Sequence, residues 1–471
     1  WFSFPQCKGG ALRRVSLDSN DVEGNKSSGL NFEMYSVGIS GNGRYVVFSS
    51  EATNLVADDT NLHRDVFLRD RDTDADGVFD EPGFVQTTRI SICGYNCVPT
   101  GNKNANADSW EVSISTDGNV IAYSSDASNL VAGDTNGARD VFIYTRSTGV
   151  TKRVSVPDNT VNNNGNGKSE HPFLNSNGTI VVFRSFASNL IVGDGNTFAD
   201  IFVRVVGTNR TYRIQQGLIA PDGESAHPTI SADGRYVAFS SLATNLAATD
   251  NVGVRDVFLH DRLTGATILA SVPLTAGNCT AIVGSTLQPE SFWPYISGNG
   301  QYVAFASRCD LDDFLLGDTD LDSDIFVYDS LLLTTTRVSI SFFGEAANRD
   351  SFSPSISHDG RYVAFASNAT NLDVNLPDLN AKRDVFLYDR LDSDDGSTVF
   401  SFGLVQRISL DYTRTEPNDW SFVPVIAPYG RHVAFVSEAS DLVSNDNNHA
   451  WDVFAYDSER TVPTFLTIPA N

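Results

Sequence analysis

Apolar and polar residues alternate along this chain in short runs that recur in a fixed order. The clearest run follows an Asp/Asn-Gly turn: RYVVFSS from Arg44, NVIAYSS from Asn119, TIVVFRS from Thr179, RYVAFSS from Arg235, QYVAFAS from Gln301, RYVAFAS from Arg361 and RHVAFVS from Arg431. β-Branched and aromatic residues at period two predict a strand. After a loop comes a second run with the pattern Asp-[Val/Ile]-Phe, starting at Asp65, Asp140, Asp200, Asp256, Asp324, Asp384 and Asp452. A third carries Arg-[Val/Ile]-Ser, as in Arg89-Ile90-Ser91, Arg153-Val154-Ser155, Arg337-Val338-Ser339 and Arg407-Ile408-Ser409, with Arg213-Ile214 and Leu269-Ala270-Ser271 as weaker copies. The fourth precedes the turn and places Pro172, Pro228, Pro294, Pro354 and Pro424 two residues before its last apolar position.

Four short strands per repeat, with no helical stretch between them, are the pattern of a propeller blade. The turn glycines Gly43, Gly118, Gly178, Gly234, Gly300, Gly360 and Gly430 lie 56 to 75 residues apart, so there are seven copies with variable loops. The expected fold is all-β: a seven-bladed β-propeller of four-stranded antiparallel blades. We letter the strands A (before the turn), B, C (Asp-[Val/Ile]-Phe) and D (Arg-[Val/Ile]-Ser). The blades fall near residues 33–92, 109–156, 170–215, 226–272, 291–340, 351–410 and 420–457 of one domain. Residues 12–17, with Arg13-Arg14-Val15-Ser16-Leu17, match strand D and should complete blade 7, closing the ring. That leaves 461–471 spare, as a local cap or as an edge strand open to another molecule. Proline has no N–H to give a ladder, so the Pro-bearing stretch of strand A should be irregular.

Charge narrows the partners. Asp and Glu number 58 against 33 Lys and Arg, a net charge of −25 over 471 residues. This argues against nucleic acid and anionic membrane and favours cations. No apolar stretch is long enough to span a bilayer. The chain starts at Trp1 with Met34 its only methionine, which reads as a processed, exported form, secreted, surface-displayed or periplasmic. Cys93 with Cys97 and Cys279 with Cys309 are the expected disulfides, with Cys7 left over. The alternative is five unrelated thiols.

Each B-to-C loop repeats a set of oxygen-bearing side chains: Asp59, Asn61, Asp65; Asp134, Asn136, Asp140; Asp194, Asn196, Asp200; Asp318, Asp320, Asp324; Asp378, Asn380, Asp384; and Asp446, Asn448, Asp452. In the fourth copy Val252 breaks the set between Asp250 and Asp256. Hard oxygens at i, i+2 and i+6 suit Ca²⁺. Asp and Asn that bond their own backbone would fix the same loops without metal. A sharper element lies between strands C and D of blade 1. There Asp72, Asp74 and Asp76 precede Gly77, and Val78, Asp80 and Glu81 follow, matching calcium-loop spacing except that Gly83 stands at the position of the bidentate Glu. Asp80 or Glu81 would have to replace that ligand. Asp392, Asp394 and Asp395 form a degraded version.

The Ser-x-Asp-Gly-Arg-Tyr-Val-Ala-Phe element, clearest at Ser231–Phe239 and Ser357–Phe365, followed by Asp-[Val/Ile]-Phe-x-Tyr-Asp, resembles the TolB-type, WD-like β-propeller repeat from Arg13 to about Ile468. The resemblance implies a binding or scaffolding disc, commonly exported. Seven copies and the missing α/β domain depart from TolB itself, so no Tol–Pal role is implied. No Gly-x-Ser-x-Gly elbow occurs. His63, His449, His171 and His227 could converge on one face, as in pectate-fragment lyases of this repeat type, or stand as ordinary loop histidines. Trp110, Trp293 and Trp420 read as packing between blades rather than a sugar platform. The expected function is a calcium-stabilised, non-catalytic binding, adhesive or scaffold module whose partner is a cell-surface protein or polysaccharide. The alternatives are a self-associating filament or sheath subunit using a terminal strand, and a polysaccharide lyase or hydrolase.

Overall fold

The computed structural model describes residues 10–29, 36–95, 97, 103–160, 163–217, 219–248, 253–272, 290–309, 311, 322–341, 343–373, 376, 378–390 and 403–458. Among them are seven four-stranded antiparallel sheets and no helix. Blade 2 shows the common plan: A at Ser109–Ile114, B at Val120–Ser125, C at Asp140–Thr145 and D at Val150–Arg153. In blade 7 the outermost strand is Ala11–Arg14, which pairs antiparallel with Asp452–Asp457. The N-terminal strand therefore closes the ring. Residues 461–471 lie outside the described residues.

The repeated letters have separate mechanical duties. The aromatic residue of strand B meets the phenylalanine of strand C within each blade, as in Phe48–Phe67, Phe305–Phe326 and Phe435–Phe454, with ring centroids 5.9–6.1 Å apart, Tyr123 taking the strand B place in blade 2. Apolar residues on the blade faces then pack blade to blade, for instance Val182, Ile201 and Val203 of blade 3 with Ile230, Val237 and Phe239 of blade 4. Each core is thus shared by two neighbours, and no blade buries its faces alone.

The turn glycine is required on two counts at Gly360. Its φ is +77°, and an added Cβ would lie 2.1 Å from the ring of Tyr302 on the preceding blade. The prolines mark an irregularity, as expected. In blades 3 to 7 the A–B register shifts across Glu170/Phe173, Ala226/Thr229, Phe292/Tyr295, Phe352/Ser355 and Phe422/Val425. Blade 2 has the same bulge between Trp110 and Val112 without a proline.

Candidate functional site

The B-to-C triplets converge, but on a guanidinium. In blade 1 the Arg89 Nη1 lies 2.9 Å from Asp59 and 3.3 Å from Asp65. Ser91 Oγ donates to Asp65 Oδ1 at 2.6 Å, and Asn61 Nδ2 donates to Asp65 Oδ2 at 2.9 Å and to the Ala105 carbonyl. The Asn61 amide thus turns its N–H, not its oxygen, toward the carboxylate. Blade 2 repeats this with Arg153, Asp134, Asp140, Asn136 and Ser155. In blade 7 Arg14 bridges Asp446 and Asp452, Asn448 donates to Asp452, and Ser16 completes the set. Arg213 joins Asp194 to Asp200 in blade 3, with Asn196 donating to Asp200, but Gln215 replaces the serine and leaves Asp200 Oδ1 without a donor. Arg337 holds Asp324, and Arg407 holds Asp384. In blade 6 Asp378 accepts from the backbone of Asn380 and Ala381, while Asn380 Nδ2 reaches the Pro417 carbonyl. Asp318 and Asp320 lie outside the described residues. In blades 1, 2, 3 and 7 the strand D arginine thus lies against both aspartates of the triplet, where a cation held by them would have to sit.

In blades 1, 2, 3 and 7 one arginine serves two buried carboxylates, and burial dominates their titration. It pushes Asp59, Asp134, Asp200, Asp384 and Asp452 up to about 6. Because the folded state holds these protons more tightly than the unfolded chain, their contribution is greatest below the unfolded carboxyl range and is lost as pH rises toward and through 6. We expect a higher Tm at pH 5 than at pH 7.5. Each unit of realised shift is worth about 1.4 kcal/mol. A Tm that rises steadily from pH 5 to 7.5 would contradict this.

The blade 1 insertion differs, because three of its acidic groups gather at one point. Asp72, Asp74 and Asp76 offer ligand oxygens all within 4.8 Å of one another, the sole such His/Cys/Asp/Glu trio among the described residues. Asp72 accepts from the Asp76 and Gly77 amides at 3.1 Å, and Asp76 accepts from Val78 N at 2.8 Å. Gly77, at φ +90°, supplies the sharp turn. Desolvation and then Asp76 raise the pKa of both Asp74 and Glu81. Asp80 is withdrawn from the set, since Arg71 binds it at 2.6 Å. Glu81 remains as the further carboxylate, and the oxygen-only donor set fits a hard cation.

A third arrangement was not legible as a site. The bulge in strand A turns one residue in each of blades 2 to 7 to positive φ: Glu111, His171, His227, Trp293, Ser353 and Val423, at 46° to 54°. Strand A pairs on one side only, so these positions face the propeller axis. The first three meet one another. Glu111 Oε2 accepts from His171 N at 2.9 Å, and His171 Nε2 lies 3.3 Å from Glu111 Oε1. The His171 and His227 rings stack at 5.1 Å. Burial, then His171 and Arg255, push the His227 pKa well below the usual value, while His171 leads the groups that lower that of buried Glu111. Ser353 and Val423 line a cavity of about 70 Å³ together with Val37, Ile114, Phe173, Tyr295 and Ile426. His63 pairs instead with Asp108 at 3.0 Å, so the four histidines do not form one group. Trp293 packs edge-on against Phe292 at 4.7 Å, Trp110 lies under Arg139, and Trp420 is largely exposed.

Cys93 and Cys97 are disulfide-bonded. Cys309 is also disulfide-bonded, while Cys7 and Cys279 lie outside the described residues.

Seven four-stranded antiparallel sheets, each packed against its neighbours, define a seven-bladed β-propeller. No family profile and no curated protein matches the chain. Among solved structures it is similar to an oligogalacturonate lyase in complex with manganese, at 13% identity and TM-score 0.48 over 97% of this chain and 95% of that one. The propeller domain of the Trilobed protease from Pyrococcus furiosus, described as having an open velcro topology, gives 8% identity and TM-score 0.48 over 92% and 97%. TolB from Acinetobacter baumannii gives 14% and 0.38 over 78% and 66%. Such likeness extends to the fold alone.

Proposed function

We propose that this protein is an exported, calcium-stabilised propeller that acts as a binding module, engaging a cell-surface protein or polysaccharide at the mouth of its axis. The observation that carries the reading is the six-residue bulge ring. Its neighbours in strands B and C keep nearly the same chemistry from blade to blade, whereas this position runs Glu, His, His, Trp, Ser, Val. A non-glycine residue held at positive φ before proline is strained. Strain repeated at one place, bearing six dissimilar side chains on a common axis, is the form expected of a recognition surface on a fixed scaffold. The test is capture of cell-surface polysaccharide and protein fractions by the native chain and by a Glu111→Gln, His227→Ala, Trp293→Ala variant. Capture that the triple variant retains in full would refute the reading.

Calcium belongs to the stabilising half of this proposal, at Asp72, Asp74, Asp76 and Glu81 with the Val78 carbonyl. These groups would hold the ion, which supplies charge to a loop that otherwise repels itself. Cation binding to the folded form alone stabilises by about 2.7 kcal/mol at a hundred times Kd. We expect chelator to lower Tm and added Ca²⁺ to restore it, with Asp74→Asn abolishing the response. A melt indifferent to chelator, with no metal by elemental analysis, would sink the calcium claim. The Cys93–Cys97 disulfide supports an oxidising location, whether secreted, surface or periplasmic.

A further inference from the structure

A cleft of about 870 Å³ opens between the B-to-C loops of blades 1 and 2 and the loop that joins strand D of blade 1 to blade 2. Its size falls in the range of about 300–1,000 Å³ common to small-molecule sites. Amides and hydroxyls make up most of its wall, and one aromatic ring, Tyr95, stands among them at 46% exposure. That ring is fixed in place. The Gly94 and Tyr95 amides both donate to the Asn129 carbonyl of blade 2 at 3.0 Å, and the Cys93–Cys97 disulfide closes the chain around it. In the corresponding loop of blade 2, Asp158 donates its amide to the Leu190 carbonyl and turns its carboxylate to Arg210. Blade 1 thus presents an open ring where blade 2 presents an ion pair.

The polar groups around the ring offer both senses of hydrogen bond. Thr60 Oγ1 accepts from Asn104 Nδ2, and Thr135 Oγ1 accepts from Asn164 Nδ2, each at 2.8 Å, which leaves both hydroxyl protons to donate. His63 Nδ1 lies 3.0 Å from the Asp108 carboxylate and must donate to it, so Nε2 of the neutral ring is an acceptor. We propose that this cleft binds a neutral sugar of a polysaccharide, stacked on Tyr95 and hydrogen-bonded by Thr60, Thr135 and His63. A sugar hydroxyl donates and accepts at once, which matches such a mixed wall. The C–H groups on one face of a pyranose meet the negative face of an aromatic ring favourably. Charge selects against other ligands. Among the described residues no lysine or arginine lines the cleft to hold an anion, and its one carboxylate, Asp134, is already bound by Arg153 at 2.9 Å.

The cleft shares no lining residue with the bulge ring, so the two sites fail separately. Cellohexaose, mannohexaose and N-acetylchitohexaose are titrated calorimetrically into the full chain, with hexagalacturonate as the anionic arm. The variants are Tyr95→Ala, Tyr95→Phe and Thr60→Val, each checked by a thermal melt, and Tyr412→Ala removes an exposed tyrosine outside the cleft as a control. We expect saturable binding of at least one neutral glycan and weaker binding of hexagalacturonate. Tyr95→Ala should lose about tenfold and Thr60→Val about fivefold, while Tyr95→Phe, which keeps the ring, and the control stay near native. Should Tyr95→Ala melt early, Thr60→Val carries the test. No saturable neutral glycan, tighter binding of hexagalacturonate, or equal loss in the control would overturn the assignment. So would binding that Tyr95→Ala keeps and the Glu111→Gln, His227→Ala, Trp293→Ala variant loses, which would move the sugar to the axis.

Discussion

Replacing Arg89 with methionine is expected to cost about 3–5 kcal/mol, because it leaves Asp59 and Asp65 buried without their cation. Both are almost fully enclosed, Asp65 at 0% and Asp59 at 5% exposure. The measurement is the denaturant midpoint of native and variant at two pH values. At pH 7.5 the full deficit should appear. At pH 5 it should shrink, since a carboxyl already pushed to about 6 in the native fold becomes easier still to protonate once the guanidinium is gone. Arg210→Met, removing an exposed pair with Asp158, should cost at most about 1 kcal/mol at either pH. A deficit at Arg89 no larger than that of Arg210, or one that grows on acidification, would show that the cage does not work as described.

Blade 4 is the natural experiment for the same unit. There Leu269 replaces the arginine and Val252 the asparagine, yet Asp256 still accepts from Ser271 at 2.6 Å. The two losses occur in one repeat, and that joint loss was the signal in the sequence that Asp, Asn and Arg form a single device. That signal is faint because the acidic loop and the strand D motif lie far apart along the chain. Blade number, strand order and closure by an N-terminal strand were legible because a period-two pattern repeated seven times over-determines them. The bulge ring was not, for a physical reason. Its residues sit in a stretch that reads as ordinary strand, and only the register shift turns them toward the axis. The prolines gave the irregularity but not its direction. The role of Asp80 was equally hidden, since its partner Arg71 is chosen by the meeting of the first and last blades, which no local spacing encodes.

That meeting sets the second large expectation. At ordinary blade boundaries the residue after strand C is a modest rung: Arg146 donates to the Gly118 carbonyl at 3.1 Å and packs on Tyr45 of the preceding blade at 4.3 Å. Arg390 does the same with Gly360 and Tyr302. At the seam between blades 1 and 7 the rung is reinforced. Arg71, wholly buried, donates to the Gly43 carbonyl and binds both Asp80 and Asp457, each at 2.6 Å. Phe79 covers its guanidinium at 4.8 Å and leans on His432, whose Nδ1 lies 2.7 Å from Asp457. The blade 1 insertion is therefore a clasp from blade 1 to the end of the Asp452–Asp457 strand, beside the one strand pairing that joins the two ends of the chain, where four residue pairs from Ala11 to Arg14 hold the closing strand. Arg71→Met strands two carboxylates and should cost about 3–5 kcal/mol, against about 1 kcal/mol for Arg146→Met. Hydrogen exchange locates the effect. Amides of Leu12 to Arg14 should exchange faster in Arg71→Met and stay near native in Arg146→Met, because opening at the seam releases the N-terminal strand before any interior blade parts. Equal exchange in the two variants would mean that the four-pair strand closes the ring unaided and the insertion only rests against it.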